Sequence, residues 1–195
     1  LIRLNRLLLE DAFAAELSRE YPTSDFEING VINNPTGSTK IINHGGSILL
    51  TDPAGHITTS SLIMESDRGS VGLANERIGI TIFQDDGLLP APRLEVRAFD
   101  QVGLDIDAAG TPGVEQMVLN GLVSQIGDIF AGFGGLDLVV TEAISAPGRI
   151  ELTGLGDMID AYEGEFDFLA DTLYLQGTGS VGHFVVESNG DVTDT

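Results

Sequence analysis

The stretch FEINGVINNPTGSTKIINHGGSI, residues 26–48, places short runs of Ile and Val between Gly and Asn residues. Two similar tripeptides within it, Val-Ile-Asn and Ile-Ile-Asn, stand ten positions apart. Gly and Asn favour corners, whereas Ile and Val favour strands. We therefore interpret the stretch as short strands joined at corners rather than as a ligand-binding loop.

The tripeptide Gly-x-(Ile/Val) continues this pattern along the chain. It occurs nine times, where about four occurrences are expected by chance. We expect each glycine to take the positive φ of a tight corner, and each Ile or Val to begin a strand and point inward. The residues predicted to form such structural corners are Gly46, Ile48, Gly69, Val71, Gly179 and Val181.

A chain that turns every few residues, without hairpin dipeptides between equal arms, stacks each strand on its equivalent one turn later at about 4.8 Å. The predicted fold class is all-β: a right-handed parallel β-helix (β-solenoid) of about seven coils with an N-terminal α-helix. An antiparallel β-sandwich is the alternative. The aliphatic, aromatic-poor composition, with 6% aromatic residues, favours the solenoid.

Two segments have apolar residues at spacings that fit a helix. Residues 1–22 are predicted to form an amphipathic helix that caps or packs on the solenoid, which then occupies residues 23–195. Ile2, Leu9, Phe13 and Leu17 fall on one helical stripe, and Pro22 ends it. Residues 113–129 fit a helical stripe as well as strands, although their glycines weigh against a helix.

Charge and composition exclude several classes of partner. The chain has 30 acidic and 9 basic residues, a net charge of −21, and no cysteine. Such a surface repels phosphate backbones and anionic lipids, so we expect neither a nucleic-acid partner nor membrane insertion. The absence of cysteine removes disulfides and Cys-based zinc sites.

The segments INGVINNPTGSTKIINHGGSILLT (28–51) and LIMESDRGSVG (62–72) resemble coils of filamentous-haemagglutinin-like adhesins, including leukotoxin-like filamentous adhesins. The similarity covers residues 26–82, and beyond them it is limited to the general pattern of short β-like runs between turn residues. It implies an extracellular rod segment at the bacterial cell surface. The secretion domain of that family carries Asn-Pro-Asn-Gly, whereas this chain has Asn34-Pro35-Thr36-Gly37, so the chain is not assigned as that domain.

Paired carboxylates are the main candidates for catalysis. Asp105 with Asp107, and Glu165 with Asp167, stand two residues apart, so each pair would project from one face of a strand. That spacing approaches the separation of about 5 Å found in retaining glycosidases. The alternative interpretation is an outward face that is simply acidic.

Metal and histidine sites are also considered. GFGGLDLVV, residues 132–140, partly matches a calcium-binding Gly-Gly-x-Gly-x-Asp repeat through Gly132, Gly135 and Asp137, but only in a single imperfect copy. No cofactor is expected, with calcium as the one possibility. The three histidines are predicted to lie at exposed corners and not in a catalytic or zinc site. They are His44, His56 and His183.

Together these features predict a non-enzymatic rod or filament segment of a secreted bacterial surface adhesin, which mediates attachment or self-assembly. Its expected partners are neighbouring copies or flanking segments of the same protein, and host or matrix carbohydrate or protein. The alternative from another class is a carbohydrate-active β-helix enzyme, a polysaccharide lyase or glycosidase. A groove holding convergent carboxylates and an arginine would favour that enzyme.

Overall fold

A computed structural model describes the backbone of residues 2–8, 15–19, 24–84, 91–110, 116–163, 167–182 and 186–188. Within these ranges the chain forms 17 strands and no helix. The strands are β1 (Ile2–Leu8), β2 (Ala15–Arg19), β3 (Phe26–Asn43), β4 (Ile48–Leu50), β5 (His56–Ser66), β6 (Ile78–Gln84), β7 (Arg93–Ala98), β8 (Val102–Gly110), β9 (Gln116–Ser124), β10 (Ile129–Phe133), β11 (Asp137–Val140), β12 (Ile144–Ser145), β13 (Arg149–Leu155), β14 (Met158–Asp160), β15 (Phe168–Ala170), β16 (Thr172–Gly177) and β17 (Val186–Ser188).

These strands wind into a solenoid. All the ladders between them are parallel, and each strand pairs with its equivalent one turn away. The predicted β-solenoid is therefore confirmed, with about six turns rather than seven, and the antiparallel sandwich is wrong for these strands. One row of partners, called the first row, follows the axis through Phe26, Ile48, Val71, Val102, Ile129, Ile150 and Leu173.

The core consists of such rows. Two further rows of partners follow the axis. The second row runs through β3, β5, β7 and β9, and the third runs through β3, β5, β6 and β8. Burying one aliphatic side chain of this size adds about 1.5–3 kcal/mol to the free energy of unfolding. Because each coil buries side chains of this kind, each coil adds a similar amount. The second row contains Ile41, Met64, Val96 and Leu122, the third contains Ile32, Ile57, Ile80 and Ile106, and all eight are buried.

The N-terminal helix is not confirmed. Within residues 1–22 the described parts are β1 and β2, and both pair in parallel with β3. Ile2 is opposite Phe26 and Leu17 is opposite Ile41, so both strands extend rows of the solenoid. A sheet edge offers a line of unpaired backbone groups, and pairing with that edge outweighs the helical spacing of the side chains. Residues 1, 9–14 and 20–22 lie outside the described residues.

Residues 116–129 do not form a helix: residues 116–124 form β9, and Ile129 begins β10. Met117 and Leu119 are buried while the residue between them is half-buried, which is strand alternation. Gly121 has φ of 97° and lies in a bulge, where Glu95 of β7 faces both Asn120 and Gly121. A glycine in this conformation would interrupt a helix. Residues 113–115 lie outside the described part of the chain.

No helix that is long and apolar enough to span a membrane is found in the described residues.

Candidate functional site

One corner of the solenoid joins successive coils through side chains that accept backbone hydrogen bonds. This corner ladder consists of the residues directly before the first six residues of the first row: Asp25, Ser47, Ser70, Gln101, Asp128 and Arg149. Asp25 Oδ1 accepts the Ser47 N–H at 2.8 Å, and Ser47 Oγ accepts the Ser70 N–H at 3.0 Å. Ser70 Oγ then accepts the Gln101 N–H at 3.2 Å. Further along, Asp128 Oδ1 accepts the Arg149 N–H at 2.7 Å.

The glycines at this corner are required by close approach between coils. A Cβ on Gly69 would lie 2.6 Å from the Ser47 nitrogen, and one on Gly46 would lie 2.7 Å from Asp25 Oδ1. Neither glycine has a positive φ. The predicted reason for these glycines is therefore wrong, although they do lie at a corner: a side chain is excluded by the coil beneath. Positive φ occurs instead at Gly72, Gly121, Gly135 and Gly154.

The other predicted corner residues occupy two places. Ile48 and Val71 are fully buried in the first row. Gly179 packs on Gly156 of the preceding coil, at a different corner. Val181 pairs with Met158 there and is 49% exposed.

This second corner repeats the same chemistry. Asp137 Oδ1 accepts the Asp157 N–H at 2.6 Å, and Asp157 Oδ1 accepts the Ser180 N–H at 2.6 Å. We call Asp137, Asp157 and Ser180 the second ladder. Sequence reasoning missed it because Gly156-Asp157-Met158 ends in Met and escapes the Gly-x-(Ile/Val) pattern.

Asn34-Pro35-Thr36-Gly37 forms a third corner. The pairing of β3 with β5 shifts register between Asn34 and Ser38. Asn34 is fully buried and its Nδ2 donates to the Ser38 carbonyl at 3.0 Å. The Gly37 carbonyl accepts hydrogen bonds from the hydroxyls of Thr59 and Ser60, at 2.9 and 2.7 Å. The motif therefore has a structural role in turning the chain.

Asp105 and Asp107 lie together on an exposed groove. Both are exposed and flank the buried Ile106, so they project from one face of β8 as predicted. Arg77 contributes a guanidinium whose Nη1 is 3.2 Å from Asp105 Oδ1. We call this feature the acidic groove. It has a volume of 380 Å³ and is lined by Asp105, Ile106, Asp107, Gly132, Phe133, Gly134, Thr153 and Gly154.

The groove is open because glycines of the next coil lie beside the two aspartates. Gly132 faces Asp105 and Gly134 faces Asp107, and a Cβ on either would collide with the carboxylate. The groove therefore offers two carboxylates and exposed backbone, and Arg77, which does not line it, pairs with Asp105. Such groups can bind hydroxyl-rich or cationic molecules by hydrogen bonds and charge.

Of the second carboxylate pair, the structure describes Asp167, and that residue does not lie on a surface. Asp167 is 3% exposed, directly before the buried Phe168. A carboxylate buried in that position does not face a substrate groove. Glu165 lies outside the described residues.

The two described histidines have separate partners. His44 Nδ1 lies 2.6 Å from Asp67 Oδ2, and both side chains are exposed. His56 Nε2 lies 2.6 Å from Thr81 Oγ1. Burial lowers the pKa of His56 below its ordinary value of 6.5, and the nearby Asp107 carboxylate offsets part of that shift. His56 is half-buried in β5 rather than at an exposed corner, and His183 lies outside the described residues.

The segment considered for calcium serves as a corner. The Gly135 N–H donates to the Gly154 carbonyl at 2.7 Å, and Asp137 belongs to the second ladder. Among the residues whose side chains are described, no group of three or more His, Cys, Asp or Glu is suited to holding a metal ion.

Compared with known proteins, the chain matches no family model, no curated protein sequence and no solved structure. The resemblance to filamentous adhesins therefore depends on the quoted sequence segments alone.

Proposed function

We propose that this chain is a structural rod or filament segment of a secreted bacterial surface adhesin. The observation that supports this role best is the corner ladder, in which a side chain accepts a backbone N–H of the next coil at four steps along the axis. A rod under tension along its axis loads the contacts between coils. Parallel ladders, buried aliphatic rows and the corner ladder all act at those contacts.

The solenoid is expected to be right-handed, because parallel strands in one sheet are joined by right-handed crossovers. Its partners would be neighbouring copies or flanking segments of the same protein. A strand at the end of a solenoid presents unpaired backbone groups, which another strand can satisfy. Among the described strands, β16 pairs only with β13.

The test is particle length against concentration, measured by small-angle X-ray scattering. About six turns at about 4.8 Å each give a solenoid of about 29 Å. As concentration rises, end-to-end association would lengthen the maximum dimension of the particle by about one solenoid length for each copy added. The variant Tyr174→Lys places a charge on β16 and is expected to abolish the growth. Ile126→Lys, at a corner residue that is 59% exposed, is the matched control and is expected to retain it. A compact monomer at every concentration would contradict the proposal.

A second candidate is a carbohydrate-active enzyme, favoured by the two carboxylates of the acidic groove and by Arg77, which pairs with Asp105. Its test is the release of reducing ends from a panel of polysaccharides. If this candidate holds, Asp105→Asn and Asp107→Asn each abolish the release, whereas Asp171→Asn, an exposed aspartate in another coil, leaves it unchanged. No release by the unmodified chain would reject the enzyme and leave the rod.

A further inference from the structure

Two loops on neighbouring coils enclose a cleft next to the acidic groove. One loop, residues 51–55, joins β4 to β5, and the other, residues 72–77, precedes β6. The cleft has a volume of 480 Å³, within the size range of small-molecule and side-chain sites. We call it the loop cleft, and its lining is Leu50, Thr51, Asp52, Pro53, Asn75, Glu76 and Arg77.

Both loops are held in shape by their own hydrogen bonds. Asp52 Oδ1 accepts the Ala54 N–H at 2.9 Å, and the Asp52 carbonyl accepts the Gly55 N–H at 2.8 Å. In the second loop, Leu73 and Glu76 exchange two backbone hydrogen bonds, at 3.1 and 3.2 Å. Because the turns are already formed, a ligand would lose little free energy to ordering them.

The cleft combines an apolar surface with an acidic rim. Leu50 packs against the hydrophobic core and is partly exposed, and Pro53 is exposed beside it. Asp52 and Glu76 supply two exposed carboxylates. The rim therefore carries two negative charges beside an aliphatic surface.

Arg77 does not make the cleft a site for anions. Its Nε donates to the Ala74 carbonyl at 3.2 Å, and its Nη1 donates to Asp105 at 3.2 Å. The Asp105 carboxylate thus balances the guanidinium charge. The net charge of −21 further repels any anionic ligand and attracts a cationic one.

We propose that the loop cleft binds an arginine or lysine side chain from a basic segment of a partner protein. The aliphatic stem of that side chain would lie on Leu50 and Pro53, and its charged head would meet Asp52 and Glu76. Long basic side chains pack their methylene groups on apolar surface while their heads form charge-assisted hydrogen bonds. This site goes beyond the rod function and does not depend on it.

The test is a titration followed by amide chemical shifts in two-dimensional NMR. The probe is N-acetyl-arginine methylamide, and its neutral citrulline analogue has nearly the same shape. The arginine probe is expected to give saturable shifts at the amides of residues 50–52, 54–55 and 73–77, and the citrulline analogue none. The double variant Asp52→Asn/Glu76→Gln is expected to weaken binding about fivefold, as loss of exposed charge pairs does.

The control variant Glu163→Gln/Asp171→Asn removes the same charge from exposed positions in later coils. It is expected to bind the arginine probe as the unmodified chain does. An equal loss in both double variants would show that only the overall charge matters and would overturn the site. Equal shifts with the citrulline analogue, or shifts spread evenly over the acidic surface, would overturn it too. The same spectra report whether each variant is folded.

Discussion

The corner ladder and the side that carries the loop cleft differ in regularity. At the corner ladder, Gly46-Ser47-Ile48 and Gly69-Ser70-Val71 place glycine, acceptor and buried aliphatic in the same order on successive coils. The two loops of the cleft, by contrast, differ in sequence and in hydrogen bonding. Repeated contacts at one corner hold neighbouring coils together, so loops elsewhere on the coils can differ and form binding surfaces.

The largest expected effect compares buried and exposed positions on the coils. Ile48→Ala removes a fully buried side chain from the first row and is expected to lower the free energy of unfolding by about 2–5 kcal/mol. Ile159→Ala, at a residue that is 46% exposed, is expected to cost only about 0.5 kcal/mol. Urea denaturation measures both. Equal losses would mean that the first row is not the core.

The next comparison separates the two kinds of glycine. Gly69→Ala forces a Cβ against the backbone of the coil below and is expected to cost about 2–3 kcal/mol. Gly135 has φ of 89° and open space around it, so Gly135→Ala is expected to cost about 1–2 kcal/mol from backbone strain alone. Urea denaturation of the two variants shows which one loses more stability. A larger loss of stability at Gly135 would contradict close approach between coils as the reason for the corner glycines.

The third comparison breaks one contact of the corner ladder. Asp128→Ala removes the acceptor of the Arg149 N–H and is expected to cost about 1–2 kcal/mol. Asp128→Asn keeps an acceptor oxygen and is expected to lose less than half as much. Urea denaturation at pH 7 provides both values. An Asn variant as unstable as the Ala variant would show that the charge, rather than the hydrogen bond, stabilises this corner.

The smallest expected effect concerns pH. Because burial holds the pKa of His56 below 6.5, the unfolded chain takes up a proton at His56 before the folded chain does. Stability from this residue is therefore present above about pH 6.5 and is lost as pH falls below it. The variant His56→Gln is expected to lose less stability than the unmodified chain between pH 7.5 and pH 5.5. Identical losses in the two proteins would exclude this role for His56.

The sequence was sufficient to predict the solenoid because its signal is local and repeated. At Ile48, Val71, Ile129 and Ile150 the Gly-x-(Ile/Val) pattern marks a corner followed by an inward residue of the first row, whereas Val181 is 49% exposed. The N-terminal helix is not confirmed: the side chains there fit a helical stripe, whereas the described strands β1 and β2 pair with the distant strand β3.

The candidate sites were only partly predictable. The spacing of Asp105 and Asp107 placed them on one face of a strand, but Arg77 and the facing glycines come from other coils. Asp167 stands at the same spacing from Glu165 and is nevertheless buried, because alternation of side chains does not say which face of a strand points inward. No sequence motif predicts the loop cleft, because its walls come together only when neighbouring coils stack.

Engineered disulfides test the stacking order most directly, because the chain contains no cysteine. Ile63 and Glu95 are partners on adjacent coils, and Lys40 is the partner of Ile63 one coil earlier. Adjacent-coil Cα atoms lie about 4.8 Å apart and those two coils apart about 9.6 Å, whereas a disulfide requires about 4.4–6.8 Å. Under mild oxidation, Ile63→Cys/Glu95→Cys is expected to form an intramolecular disulfide, detected by mass spectrometry, and Lys40→Cys/Glu95→Cys is not. A disulfide in the second variant but not in the first would contradict the solenoid.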